Sequence, residues 1–396
     1  MRSEPRPAVI LLLAALTALA MLATNVVLPL MPAMVADVGA SPAATPSLLW
    51  SFLAVFAIGQ LIAGPLSDRF GRRSVLFAGL AVFVGGSVLA AVAGDLATLV
   101  SGRALQGLGA AAASALSRAV LRDLFEGPAL AHALGWVMSI MAAAPGFSPL
   151  AGALIGEAWG WRATFVALVA VAVAIAFAHQ FVVGETLPAS RRTRHGPGEL
   201  ARGYASLLAD PRFVRPALSN ALAMGALFGY FATTPAILRA FGVGTIGIGV
   251  FFGVTVFAVF AASHRAPRWS GRIGPSRVVG LGLATAVAAA AIAAASGAAG
   301  LSGLSVYVAA AVLFLLGIGL VIPTSTALAL GPFAAQAGQA SALLGFLQMG
   351  AATLSLLVLP AIALPPAASL ALVIAGNALL ALSVLRPART PAPAAA

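Results

Sequence analysis

The sequence contains no cysteine and no lysine, so all 22 of its basic residues are arginines. Without cysteine the chain cannot form a disulfide, a thiolate zinc site or a thiol redox pair. Without lysine it cannot complete a Walker A phosphate loop, and the HExxH and GxSxG signatures are absent as well. These absences disfavour an enzyme embedded in the membrane, which is the main alternative to the function inferred below. We also predict no cofactor and no metal site.

Charge is also scarce, at 8% of residues against about a quarter in soluble domains. Hydrophobic residues make up 61% of the 396-residue chain, and the mean hydropathy is +1.05. One soluble core stops growing at roughly 250–300 residues, so this composition indicates a membrane protein. The net charge of +12 does not indicate a nucleic-acid partner, because the arginines are scattered between apolar runs.

Apolar runs long enough to cross the bilayer recur along the whole chain. A span needs about 20 apolar residues. On that scale the sequence predicts an all-α membrane protein with twelve transmembrane helices, at 8–36, 47–66, 74–93, 96–117, 134–156, 162–183, 213–238, 245–263, 276–296, 303–330, 339–362 and 367–385. The first run is too long for the apolar region of a signal peptide, so we expect it to be retained as a helix.

The arginines supply a second, independent signal. With both termini in the cytoplasm, all arginines except Arg103, Arg162 and Arg239 fall on the cytoplasmic side, as the positive-inside rule requires. The spans then form two pseudo-symmetric six-helix halves, residues 1–183 and 213–396, joined by a cytoplasmic linker at 184–212. The segments at 70–83 and 273–286 echo each other, since each follows the second span of its half with a Gly, an Arg and a new apolar run.

The densest group of charges is the segment GPLSDRFGRR, which begins at Gly64. Its pattern G-x-x-x-D-R-x-G-R-R resembles the loop signature of the major facilitator superfamily, carried here by Gly64, Asp68, Arg69, Gly71, Arg72 and Arg73. The resemblance implies a gating role, in which Asp68 pairs with Arg72 or accepts hydrogen bonds from helix N-terminal amides. The alternative is a basic loop that only sets topology, with Asp68 as a cap.

Two further segments narrow the resemblance to one branch of this family. The segment RALQGLG places Arg103 and Gln106 on one face of the fourth span and resembles the motif of proton-linked members. The fifth span resembles the exporters' motif in its bicyclomycin-resistance (Bcr/CflA) form, with Pro145, Pro149, Gly152 and Gly156 on one stripe. The resemblance implies a drug-efflux antiporter, while a merely snorkelling arginine and a merely kinked helix are the alternatives.

The first span departs from that branch. Asn25 occupies the place where the branch usually has a carboxylate, and asparagine cannot titrate. None of the ten acidic residues lies in the middle of a predicted span, so proton coupling is left open. Asp37, at the outer end of the first span, is a candidate proton acceptor, and Arg103 acting through substrate exchange is another. A uniporter, or a metabolite transporter without proton coupling, is the alternative function.

The expected substrate site lies between the halves near the membrane midplane. Its candidate residues are polar, aromatic or thioether side chains within the spans: Asn25, Gln60, Arg103, Met138, Met141, Asn220, Tyr230, Phe231, Phe314 and Gln348. For each of them, packing between helices is the competing role. The absence of buried carboxylates favours neutral, amphipathic or anionic substrates over cations. We expect a monomeric exporter of small molecules in a bacterial inner membrane, with protons as an open second partner.

Overall fold

The computed structural model describes residues 7–192, 197–301 and 303–385, and within these ranges the regular structure is helical, without strands. Its α-helices, in chain order, are α1 (Pro7–Asn25), α2 (Met31–Asp37), α3 (Ser47–Phe70), α4 (Arg72–Ala91), α5 (Leu96–Leu124), α6 (Gly127–Trp159), α7 (Arg162–Val182), α8 (Pro197–Ala209), α9 (Pro211–Ala240), α10 (Thr245–Ile273), α11 (Pro275–Ala298), α12 (Leu304–Leu330), α13 (Ala337–Val358) and α14 (Pro366–Leu385). This is the predicted all-α fold class.

Eleven segments among the described residues are long and apolar enough to cross a membrane. The first of them joins α1 and α2 across a break, because Pro29 and Pro32 provide no backbone donor there. The predicted span that is not among these eleven is the fifth, which corresponds to α6, and the 33 residues of α6 include some side chains outside the described set. Glu157 is the only acidic residue in its sequence, so its composition also suits a span.

The helices run back and forth between two ends. We call the end that contains the α3–α4 loop and the end of α5 the arginine-rich end, and the other the opposite end. We call α1–α7 the N-terminal helices and α9–α14 the C-terminal helices. The two sets meet where α3 packs against α13 and where α6 packs against α10. The division of the chain at residues 183 and 213 stays a prediction.

Within the N-terminal helices, glycines bring the backbones close together. A Cβ at Gly107 of α5 would collide with the carbonyl of Phe52 on α3, and one at Gly86 of α4 would lie 2.7 Å from the carbonyl of Gly102 on α5. Lipid is as apolar as a leucine side chain, so helices in a bilayer associate through such close packing. This packing surrounds α5 and buries its polar side chains.

The echo between the halves has a backbone counterpart. Gly71 ends α3 with φ 95° and ψ 148°, and Gly274 ends α10 with φ 89° and ψ 144°. Positive φ in this range favours glycine, so both halves make the same turn with the same residue. The repeat seen at 70–83 and 273–286 therefore reflects one shared loop geometry.

The linker contains α8, a helix that the sequence interpretation above does not include. Leu207 of α8 is buried in a cluster with Phe213, Leu343 and Leu344, and a Cβ at Gly203 would collide with the side chain of Gln339 on α13. Leu200, Tyr204 and Leu207 have the i, i+4, i+7 spacing of an amphipathic helix. That signal is short, because α8 has only 13 residues.

Candidate functional site

Gly71 forms the turn between α3 and α4 within the charged motif. Its positive φ lets α3 end at Phe70 and α4 begin at Arg72, with a single residue between the helices. A Cβ at Gly71 would lie 2.5 Å from Oε2 of Glu185, so any other residue would displace the Glu185 carboxylate in addition to straining the backbone. The tight turn places the motif's charges at the arginine-rich end.

Arg72 lies at the centre of a charged network. Its Nη1 donates to Oδ1 of Asp68 and to Oγ of Ser67, each at 2.6 Å, and its Nε donates to Oδ2 of Asp123 at 3.0 Å. Only 11% of the Arg72 side chain is exposed, so the two carboxylates compensate a largely buried guanidinium. Asp68 thus makes the first of the two contacts expected from the sequence, the ion pair with Arg72.

The other contact, capping of α4, is made by a different residue. The backbone N–H groups of Arg72 and Arg73 donate to the carboxylate of Glu185 at 3.0 and 3.3 Å. A carboxylate at this position satisfies free amides and complements the positive end of the helix dipole. Glu185, in the segment that follows α7, therefore holds the α3–α4 loop, and Asp68 is not the cap of α4.

The remaining motif residues have separate surroundings. Gly64 lines a cavity that lies beside the network. Arg69 is exposed, with its guanidinium 5.2 Å from the ring centre of Phe70. Arg73 donates a hydrogen bond to Gln180 on α7. The motif therefore ties α3, α4, α5 and the end of α7 together at the arginine-rich end.

The cavity beside Arg72 has a volume of about 370 Å³ and lies between α3, α5, α8 and α13. Gln60, a predicted substrate residue, lies in its wall and accepts a hydrogen bond of 3.0 Å from Nη2 of Arg118. A Cβ at Gly345 of α13 would lie 2.6 Å from the Gln60 amide nitrogen. Gln60 is therefore at the place where the N-terminal and C-terminal helices meet.

A second cavity, of about 350 Å³, lies on the same boundary at the opposite end. Pro32 and Thr45 line it from the N-terminal helices, and Thr233 and Ser369 line it from the C-terminal helices. The two cavities lie near the two ends of α3, whose 24 residues span about 36 Å. The boundary between the two sets of helices thus has a cavity at each end.

Arg103 is buried inside the N-terminal helices. Its Nε donates to the carbonyl of Leu48 at 2.9 Å, and its Nη1 donates to the carbonyl of Ala23 at 2.9 Å and to Oε1 of Gln106 at 2.8 Å. The guanidinium lies 4.6 Å from the ring centre of Phe52 and is fully buried, which excludes the snorkelling alternative. Arg103 therefore links α1, α3 and α5, and it lines neither of the two cavities on the boundary.

Asn25 lies at the last residue of α1, immediately before the break. Its Nδ2 donates to the carbonyl of Met21 at 2.8 Å, and the side chain is 2% exposed. Its Oδ1 is buried without a hydrogen-bond partner among the described residues. The structure therefore places the amide where a buried carboxylate would be poorly satisfied.

Asp37 lies at the surface of the opposite end. Its Oδ2 accepts hydrogen bonds from Nη1 of Arg162 at 2.5 Å and from Nε1 of Trp161 at 3.2 Å. Arg162 also donates to the carbonyl of Ala93 at 2.9 Å, and 48% of the Asp37 side chain is exposed. This ion pair joins α2 to the α6–α7 turn and provides Asp37 with a cationic partner.

Asn220 and Gln348 come together in the C-terminal helices. Nε2 of Gln348 donates to Oδ1 of Asn220 at 2.7 Å. Nδ2 of Asn220 lies within hydrogen-bond distance of Oγ of Ser325 at 2.8 Å and of the carbonyl of Ile322 at 2.9 Å. Asn220 is fully buried, so this cluster connects α9, α12 and α13 in the interior.

Tyr230, Phe231 and Phe314 form an aromatic cluster on α9 and α12. The ring centre of Tyr230 is 5.6 Å from that of Phe231 and 5.7 Å from that of Phe314. Tyr230 and Phe314 are each 1% exposed, and the space that they line measures about 30 Å³. These contacts favour packing, the competing role given to them above.

The stripe on α6 packs against both sets of helices. A Cβ at Gly152 would collide with the carbonyl of Val26, and one at Gly156 would collide with Leu30. The carbonyl of Pro149 faces the neighbouring α10. The stripe therefore permits α6 to approach the break of the first span.

Met138, Met141 and Pro145 also belong to α6, but their side chains lie outside the described part of the structure. Their expected roles stay predictions. Among the described residues, no group of three or more His, Asp or Glu side chains could hold a metal ion.

Several residues of the site were not found by sequence reasoning. Asp123 and Arg72 are 51 residues apart, and no spacing rule connects them. Glu185 lies in the linker at 184–212, where the sequence predicts no site residue. Arg118 and Arg122 could have been predicted as a pair, because arginines at i and i+4 near the end of a span share one helix face.

Long apolar helices that meet along one boundary, with a cavity at each end, define a multi-pass membrane transporter. The chain belongs to the Major Facilitator Superfamily, whose model matches residues 13–356. The resemblance inferred from the α3–α4 motif is therefore confirmed. Members of this family are transporters, so the protein is a transporter and not an enzyme.

The similar proteins are transporters as well. The chain is 30% identical over 349 residues to the "Uncharacterized MFS-type transporter YdgK" of Bacillus subtilis, covering 87% of each chain. It is 26% identical over 350 residues to "Multidrug resistance protein D" of Escherichia coli, covering 88% of this chain and 87% of that one. A solved structure, the human organic anion transporter MFSD10 (TETRAN), superposes with a TM-score of 0.69 at 18% identity, covering 97% of this chain and 100% of the other. This last likeness concerns the fold alone.

Proposed function

We propose that the protein exports small amphipathic molecules, drug-like compounds among them, across a bacterial inner membrane by alternating access. The observation that carries this proposal is the pair of cavities at the two ends of one helix boundary. Alternating access needs a boundary that can open at either end around a substrate. The names of the similar multidrug resistance proteins support export rather than uptake.

The charged network supplies the proposed gate. Asp68 and Arg72 lie in the wall of the cavity at the arginine-rich end, opposite Gln339 of α13. The Arg72 network holds α3, α4 and α5 together, and in this proposal it keeps their side of the cavity shaped to meet α13 in one orientation. A change in that shape changes the contacts across the boundary, and a conformational equilibrium follows the difference in contacts between its states. Loss of the Asp68 charge would change this equilibrium without opening the fold.

For coupling, we propose that transport depends only weakly on a proton gradient. A proton-coupled exporter needs an interior group that is protonated in one orientation and released in the other. Among the described residues, the spans have no acidic side chain at mid-depth: Asp37 pairs with Arg162 at the opposite end, and Asp68 and Asp123 pair with Arg72 at the arginine-rich end. A uniporter without coupling is the second candidate function, and the same observation favours it.

The test of export is a growth screen in an efflux-deficient bacterial host, followed by counterflow in proteoliposomes. Expression of the wild type should raise the tolerated concentration of at least one compound in a panel of antibiotics and metabolites. That compound, radiolabelled, should exchange across proteoliposomes that contain the protein. Liposomes without the protein are the control, and Asp68→Asn at equal protein level should exchange less of the compound. Absence of counterflow for every compound of the panel would contradict the proposal.

A further inference from the structure

The cavity at the arginine-rich end has an unusual charge balance. Its wall contains three arginines, Arg72, Arg118 and Arg122, and two carboxylates, Asp68 and Asp123. Both carboxylates bind Arg72, at 2.6 and 3.0 Å. Three positive charges and two negative charges leave the described wall with a net charge of +1, and this charge is carried by α5.

Arg118 has only neutral hydrogen-bond partners. Its Nη1 donates to Oγ of Ser114 and its Nη2 donates to Oε1 of Gln60, each at 3.0 Å. Among the described residues, neither Arg118 nor Arg122 has a carboxylate oxygen within 4.0 Å. Two guanidinium groups one helix turn apart repel each other unless an anion lies between them.

The rest of the wall suits a molecule that is larger than an inorganic ion. Five of its side chains are apolar, those of Pro65, Ala115, Ala119, Leu200 and Ala342. The volume of about 370 Å³ exceeds what one phosphate or chloride ion would fill. The cavity therefore combines an arginine pair with an apolar surface.

We propose that this cavity binds a small organic anion whose carboxylate lies between Arg118 and Arg122 and whose apolar part packs against α3, α8 and α13. Guanidinium groups bind carboxylates through two parallel hydrogen bonds, and partial burial strengthens that attraction. This inference rests on the proposed transport function and names its substrate class. The arginines that bind the substrate anion are then Arg118 and Arg122 at the boundary between the two sets of helices. Arg103 does not take this role, because its guanidinium binds backbone carbonyls inside the N-terminal helices.

The position of Gln60 connects such an anion to the conformation of the protein. Gln60 binds Arg118 and also packs against Gly345 of α13. An anion that draws Arg118 towards itself would compete with Gln60 and loosen this contact between α3 and α13. Binding is therefore sensitive to how closely the two sets of helices approach at this end.

The test is calorimetric titration of the purified full-length protein in an uncharged detergent. The probes are 2-naphthoate and its neutral isostere 2-naphthamide, which differ in charge and hardly in shape. We expect 2-naphthoate to bind at least about tenfold more tightly than 2-naphthamide, because only the carboxylate pairs with the arginines. Equal affinities for the two probes would overturn the proposal.

Variants locate the site. Arg118→Gln and Arg122→Gln should each weaken 2-naphthoate binding about fivefold or more, and the double variant should reduce it to the level of the amide. Arg239→Gln removes an exposed charge at the opposite end and should leave binding unchanged. If Arg118→Gln fails to fold, Arg122→Gln carries the test, because the Arg122 side chain is exposed. Unchanged affinity in Arg122→Gln would overturn the proposal.

Two further arms separate this proposal from its alternatives. If phosphatidylglycerol displaces 2-naphthoate in the wild type and binds more tightly, the cavity holds a lipid headgroup and the proposal is wrong. Titration in detergent needs no gradient and no flux. Binding without counterflow would therefore contradict the transport proposal alone, whereas counterflow that is indifferent to Arg118→Gln and Arg122→Gln would contradict this one alone.

Discussion

The hydroxyl of Tyr204 donates a hydrogen bond of 3.2 Å to the carbonyl of Leu61, the group that Pro65 leaves without its helical donor. Tyr204 belongs to α8 in the linker, and Leu61 belongs to α3. A tyrosine phenol is a neutral donor at physiological pH, and burial raises the pKa of Tyr204 further. Tyr204 of the linker thus supplies the hydrogen-bond donor that Pro65 lacks. This contact also holds α8 against α3 at the wall of the cavity.

This relationship predicts a specific loss in Tyr204→Phe. The variant leaves the Leu61 carbonyl without a donor, which we expect to destabilise the protein by about 1 kcal/mol and to lower its unfolding temperature in detergent. In a Pro65→Ala background the restored N–H of residue 65 should make the same change nearly neutral. Ser206→Ala, which removes an exposed hydroxyl from α8, is the control. Equal losses in both backgrounds would show that the Leu61 contact does not matter.

The Arg72 network predicts different outcomes for single and double variants. Asp68→Asn and Asp123→Asn each leave Arg72 one carboxylate, so expression should persist while counterflow falls. The double variant leaves a largely buried guanidinium unpaired, and we expect a loss of about 3–5 kcal/mol with poor expression. Glu157→Gln, an exposed position at the opposite end, should change neither quantity. Wild-type counterflow in Asp68→Asn would make Asp68 a topological residue.

Asn25 leads to a prediction about coupling. Flux in wild-type proteoliposomes should change little with an imposed pH gradient, because asparagine cannot carry a proton. Asn25→Asp should strengthen the dependence on the gradient, and Asp37→Asn should leave the weak wild-type dependence unaltered. Flux measured with and without the gradient in all three proteins decides this. Strong gradient-driven flux in the wild type that survives Asp37→Asn would reject both weak coupling and Asp37 as the acceptor.

The close approach of α6 to the first span predicts the effect of one methyl group. Gly152→Ala places that methyl against the carbonyl of Val26, a rigid backbone atom, so the unfolding temperature and counterflow should both fall. Among the described residues, no atom lies within 4 Å of a Cβ placed at Gly135 on the same helix, so Gly135→Ala should be neutral or slightly stabilising, since alanine favours helix more than glycine does. Similar unfolding temperatures for the two variants would refute the packing role of Gly152.

The arginine bias predicts that both termini and the 184–212 linker face the cytoplasm. A reporter that is active only in the cytoplasm, fused after Arg194, should be active, and one fused after Gly242 should be inactive. The reason is that short loops rich in arginine are retained on the inner side. Activity only after Gly242 would invert the predicted orientation.

The positions of the spans were accessible from the sequence. The predicted span at 367–385 corresponds to Pro366–Leu385, and the predicted span at 276–296 corresponds to Pro275–Ala298. A helix in lipid satisfies its own backbone hydrogen bonds and presents apolar side chains all round, so its existence is decided locally along the chain. The pairing of Asp68 with Arg72 could also be predicted from the sequence, because the two residues lie one helix turn apart.

Which way each helix faces was decided only by the tertiary structure. Protein-facing and lipid-facing surfaces are both apolar in a membrane, so periodicity does not distinguish them. The sequence by itself therefore determined that Arg103 lies within a span, but not that it binds the carbonyls of Ala23 and Leu48 inside the N-terminal helices. In the same way, the contact of Arg72 with Asp123 joins residues 51 positions apart, and only the packing of α4 against α5 brings those charges together.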